Sequence, residues 1–207
     1  MIPAIDVARY LIRLAAPADV EDADCLSNMR LQKLLYYVQG WHLAVYGRPL
    51  FEARIEAWEH GPVVREVYTE FKKYGASTIE GSEGSDSEKM SEKDKLFITG
   101  IWGHYKQYSA SALRAKTHRE RPWREAWETG NRRDTEIPQA SLRDFFTPQA
   151  NRALLRSDAR LDPEEIRRTQ EDIKAGRVLT VRELRRDLHR RHTGHDAGED
   201  TIMEPSA

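Results

Sequence analysis

The sequence predicts a mainly α protein: a compact helical domain with a short extended or β element, followed by a charged helical tail. Three observations lead there. Apolar residues recur at helical spacing through most of the first 150 residues, one short piece alternates instead, and beyond Ala150 aromatic residues cease while charge dominates. The boundary is therefore placed at 150, giving a domain over 1–150 and a tail over 151–207.

Ile5, Ala8, Leu11, Ile12 and Ala15 form the stripe of a first helix, which Pro17 closes. A longer helix runs from about Asn28 to Tyr46, with Leu31, Leu34, Leu35, Val38, Trp41 and Val45 as its core face and Gly47 as its stop. Arg54–Trp58 alternates polar and apolar residues, so it reads as a brief strand or extended connector. In His60-Gly61-Pro62, glycine permits a sharp entry and proline suits the first position of a helix. That helix carries Val63, Val64, Val67, Tyr68 and Phe71 inward and ends at Gly75.

Ala76–Met90 is rich in serine, glycine and glutamate and is expected to be a flexible loop. Ser91, three residues before Asp94, caps a further helix with Phe97, Ile101, Tyr105 and Tyr108 on one face. A short helix opens near Ser109 or Ser111, and Trp123 and Trp127 follow it. "TEIPQASLRDFF" reads as a turn and a closing helix through Phe145 and Phe146. In the tail, Asp162-Pro163-Glu164-Glu165 is a helix start and Gly176 a stop, while Thr180 and Glu183 make a second capping box. Thr193–Ala207 is expected to be disordered.

Among 207 residues, 39% are hydrophobic and 32% charged, enough for a core and more charge than one compact domain needs. A formal net charge of −1 gives no basic excess for nucleic acid, and the basic recognition helix of a DNA-binding motif is missing. The single cysteine, Cys25, excludes an intramolecular disulfide and fits a reducing compartment. No run approaches the roughly 18 apolar residues that span a bilayer, and Met1–Asp6 lacks the pattern of a signal peptide. A cytoplasmic protein is expected.

Candidate chemistry is thin. His60 at a Gly-Pro turn reads as a structural hydrogen-bonding residue before it reads as a general base. His118 near Glu120 resembles a base with its orienting carboxylate, but no activated nucleophile accompanies them, and the arginines nearby favour a surface ion-pair cluster. His189 and His192 share a helical face without the four packed ligands that zinc needs. No phosphate-cradling loop occurs. No catalytic residue, metal or cofactor is expected, and an enzyme built on His60 and His118 is the rival reading.

Taken together, "LQKLLYYVQGWHLAVYGRPLFEARIEAWEHGPVVREVYTEFKKYG" (31–75) and the later "THRERPW" (117–123) resemble the Panacea domain, the family of SocA-like antitoxins and phage-associated GepA-like proteins. The resemblance spans about residues 5–146. It implies a helical, non-enzymatic antitoxin that neutralises a toxin by direct protein–protein binding. It also implies an alternative, in which the protein is an adaptor delivering the toxin to a cytosolic ATP-dependent protease. Within the motif, Tyr36, Tyr37, His60, Gly61 and Pro62 are the candidate partner-binding residues, on the ground that one helix cannot bury every side. "EDIKAGRVLTVRELRRDL" (171–188) is in turn similar to the toxin-binding segments of Phd- and RelB-type antitoxins. That similarity implies a RelE- or ParE-like toxin as partner, with Ile173, Val178, Val181, Arg182, Leu184, Arg185 and Leu188 as contacts.

Overall fold

A computed structural model describes residues 1–15, 26–79, 90–130 and 135–155. Its elements, in order, are α1 (Ala4–Ala15), α2 (Asn28–Tyr46), β1 (Ile55–Trp58), β2 (Gly61–Val64), α3 (Arg65–Phe71) with a 3-10 turn at Lys72–Tyr74, α4 (Glu92–Tyr105), α5 (Ala110–Arg119), α6 (Arg121–Thr129), β3 (Thr135–Glu136) and α7 (Gln139–Leu155). The molecule is mainly helical with one small sheet, as the sequence predicts.

Helix ends follow local chemistry. Ser27, Ser91 and Ser109 each accept a hydrogen bond from the backbone N–H three residues on, which supplies a partner to one of the free amides of the first turn. Gly47 ends α2 with a φ of 69°, and its N–H returns to Leu43 O at 2.9 Å.

The centre of the molecule is α2. Helices α1, α3, α4, α5 and α7 and strand β2 all pack on it, α7 most extensively. Every residue from Arg30 to Gly40 is buried. One helix therefore does bury every side, and the expected exposed face at Tyr36 and Tyr37 is not there; both are 0% exposed. The reason is encirclement by neighbours that the chain delivers from four different regions. Trp41, expected in the core, is only half-buried: its ring tilts on Phe146 and its indole N–H donates to the Tyr105 hydroxyl at 2.9 Å.

The polar residues of α2 are buried with the rest, and they tie down loops. Gln39 donates to Phe51 O at 2.8 Å and accepts from Leu50 N at 3.0 Å, acting as a strand edge for residues that have none. Gln32 accepts from Val64 N, and Asn28 donates to Tyr68 O. Such satisfied side-chain-to-backbone bonds are the condition for burying amides at all.

His60-Gly61-Pro62 does not open a helix. Glu59 and His60 form the turn of a hairpin in which Trp58 pairs with Gly61 and Ile55 with Val64. Sheet order is β2-β1-β3, so β2 is an edge strand, where the missing amide of Pro62 is tolerated. Helix α3 starts only at Arg65, and Val63 and Val64 serve the strand instead. The expected turn before the closing helix contains β3, pairing Ala57 with Thr135. At its far end α7 continues past the expected boundary at 150 to Leu155.

Most of the expected loop over Ala76–Met90 lies outside the described residues, but its two ends are core: Ile79 and Met90 are buried. The tail from 156 onward lies outside them too, with its predicted helices, His189, His192 and all seven candidate contacts from Ile173 to Leu188. No helix of the described residues is long and apolar enough to cross a membrane.

Candidate functional site

The two motifs that stand apart in sequence meet in space. Residues 31–75 supply α2 and the hairpin, and residues 117–123 supply the junction of α5 with α6. Gly61 is the point of closest approach. Its φ of 99° suits glycine, and a Cβ there would sit 2.6 Å from Lys33 Cε and 3.0 Å from Thr117 Oγ1. Trp123 then binds the hairpin from the other side, donating its indole N–H to Trp58 O at 3.0 Å. The ring of His118 stacks on Trp123 with centroids 4.0 Å apart, and Trp127 continues the stack.

Glu120 is not part of a surface ion-pair cluster. It is buried, and the Tyr37 hydroxyl donates to its Oε1 at 3.1 Å while Lys116 Nζ lies 3.6 Å from the same oxygen. Burial raises the carboxyl above its ordinary pKa, opposed by Lys116 and the phenols. Burial first, then the nearby carboxylate, raises Tyr36 and Tyr37 far above the usual phenol range, so both stay protonated donors. Tyr37 also stacks on Tyr105 at 4.0 Å and Tyr36 packs edge-on against Phe146. These tyrosines hold α5 and α7 to α2; they are inside the molecule, not on a face that a partner reaches.

On the outer side of the hairpin lies a pocket of about 350 Å³. Asn28, Gln32 and Lys33 from α2, Trp58, Glu59, His60 and Val63 from the hairpin, and Tyr68, Lys72 and Gly75 from the segment after it form its walls. Trp58 and Tyr68 pack edge-to-face with centroids 4.9 Å apart. Lys33 is 1% exposed, and its ammonium donates to Pro62 O at 3.0 Å. Burial, helped by the charge of Arg114, lowers its pKa from 10.5 to about 7.

Of the five core candidates, His60 is exposed at the turn, Gly61 and Pro62 are buried in β2, and Tyr36 and Tyr37 are buried in α2. Burial first, then the charge of Arg114, lowers the pKa of His118, and a hydrogen bond to the Glu59 backbone partly opposes them. Among the described residues no cluster of three or more His, Cys, Asp or Glu is placed to hold a metal ion. Sequence reading missed Lys33 as a site residue, because a lysine at a helical position between leucines reads as solvated.

Residues 31–124, from the start of the central helix to the α5–α6 junction, match the family described as "Antitoxin SocA-like, Panacea domain". Over that stretch the chain is similar to the Panacea domain. Over 78 residues it is 41% identical to Antitoxin SocA of Caulobacter vibrioides (strain NA1000 / CB15N), a stretch that is 38% of this chain and 39% of that relative. No solved structure matches it significantly. The match takes in α2 from Leu31 onward, the hairpin, most of the pocket wall and the Glu120 cluster, whereas α1 and α7, which complete the core around α2, fall outside it.

Proposed function

We propose that this chain is an antitoxin that neutralises a cognate toxin by direct protein–protein binding and has no catalytic activity of its own. The observation that carries the reading is the Panacea match over 31–124 together with 41% identity to a protein named Antitoxin SocA. The architecture supports it: the motif residues hold a helix, a hairpin and a helix junction together through packing and backbone bonds, which is how a rigid binding module is made.

Two surfaces are proposed for the contact. On the domain it is the hairpin turn at His60, shaped by Gly61 and Pro62 and flanked by Trp58 and Tyr68, with Tyr36 and Tyr37 acting from inside by fixing its support. In the tail it is Ile173, Val178, Val181, Leu184 and Leu188 as apolar anchors with Arg182 and Arg185 beside them, and a RelE- or ParE-like toxin as the first partner to try.

The test is co-expression of the full chain with the reading frame adjacent to its own gene. Restored growth, co-purification of the two proteins and an unchanged level of toxin are expected. Rescue in which the toxin disappears from the cell would replace neutralisation by protease delivery. Failure to rescue or to co-purify would remove the antitoxin reading.

A further inference from the structure

Lys33 is an ammonium group in the wrong surroundings. It is 1% exposed, yet among the described residues no carboxylate lies within ion-pair distance of it, and a single carbonyl, Pro62 O at 3.0 Å, takes only one of its three protons. A buried cation left so is costly unless something supplies the opposite charge. The rest of the surroundings repel it further. Arg114 faces it from α5 with like charge, Lys72 adds another cation to the pocket wall, and among the described residues Glu59 is the one acid that lines it.

Yet Lys33 does not sit in a closed core. It lines the 350 Å³ pocket, a volume within the usual range of small-ligand sites. Trp58 and Tyr68 give that pocket an aromatic wall, and Gln32 and Asn28 bring side-chain amides already tied to Val64 N and Tyr68 O. A cationic floor, an aromatic wall and preformed polar supports are what holds a carboxylate on a short apolar stem.

We propose that this pocket is a carboxylate-binding site, with Lys33 as the group that receives the charge, filled either by an acidic side chain of a protein partner or by a small free organic acid. The site depends on the pocket alone and stands whether or not the chain proves to be an antitoxin. A bound carboxylate favours the charged form of Lys33 and offsets the repulsion of Arg114. The lowered pKa of about 7 then makes the site pH-sensitive: acids bind the protonated form, so affinity falls as pH rises through neutrality.

The experiment is NMR on the full chain labelled at lysine Cε, titrated with glutarate as the free acid and with acetyl-Gly-Glu-Gly-amide as the displayed side chain; acetyl-Gly-Gln-Gly-amide is the control. The expected result is that one lysine resonance titrating near neutrality moves on addition of acid, its titration shifts up by at least about one unit, and affinity drops roughly tenfold between pH 6 and pH 8. The probe that binds more tightly names the source. Lys33→Met should abolish the effect, and because the wild-type titration reports on Lys33 directly, the test survives even if that variant does not fold. No movement with either acid at tens of millimolar, an equal response to the glutamine control, or binding that persists in a folded Lys33→Met would overturn the proposal.

Discussion

His42 has no room for a second proton. It is 1% exposed in α2, its Nδ1 sits 2.8 Å from Arg48 O, and a carbonyl can only accept, so the ring is the Nδ1–H tautomer. Burial lowers its pKa from 6.5 to about 4, with the Arg48 carbonyl partly opposing. The folded value lies below the unfolded one, so the unfolded chain takes up the proton first: the contribution to stability is complete above about pH 6.5 and is lost as pH falls toward 4. At pH 5 that loss amounts to about 2 kcal/mol relative to pH 7.5. The variant His42→Gln should therefore show a shallower acid dependence of its urea midpoint than the wild type, by about that amount. Parallel curves for the two proteins would mean that His42 does not titrate differently in the folded state. Glu120 runs the other way, since its raised folded pKa makes its ionisation unfavourable to the fold as pH rises. None of this was legible beforehand. Helical periodicity assigns polar residues to solvent, and in α2 Arg30, Gln32, Lys33, Gln39 and His42 are all buried because backbone groups outside the helix meet them there.

At the scale of elements, the decisive contact is between α2 and α7. Gly40 has no side chain, and the Phe146 ring lies where one would be: a Cβ would come within 2.2 Å of Cε2. This close approach also lets Phe146 meet Tyr36 and Tyr37 edge-on and Trp41 at a tilt. Alanine at position 40 would favour the helix by about 1 kcal/mol, but overpacking a filled core costs about 1–3 kcal/mol, and a phenyl ring enclosed by three aromatics cannot easily move. Gly40→Ala is expected to lower the thermal midpoint, with Phe146→Leu recovering part of the loss in the double variant. Additive losses would place the strain elsewhere. The sequence made the helices readable because their stripes and serine caps are local. It concealed the hairpin because Gly-Pro is equally good chemistry for a helix entry and for an edge strand. What decides is the pairing of Ile55–Trp58 with Gly61–Val64 and the grip of Gln32 and Lys33 on β2, both contacts over distance. Even the two-residue β3 depends on its partner, through Ile137 N to Ile55 O at 2.8 Å.

At the scale of the whole chain, the family match covers 31–124, but the fold does not end there. Phe146 and Ala150 from α7 are core residues, and α7 is the largest neighbour of α2, so a chain cut at 124 loses one wall of its central helix and one cut at 150 loses the end of α7. The informative truncation is after Leu155. That chain keeps every described element, and it is expected to melt cooperatively within a few degrees of the full protein. Residues 156–207 carry no Phe, Tyr or Trp, and their apolar positions are spaced among arginines. If the tail anchors the toxin, the truncated chain should bind it about 30- to 1000-fold more weakly, as should the full chain with Leu184→Ala and Leu188→Ala, the ~2–4 kcal/mol expected for two anchors. Titration calorimetry against the purified toxin measures both. Wild-type affinity in the truncated chain would move the whole contact onto the domain, where His60→Ala at the hairpin turn becomes the substitution that must weaken binding.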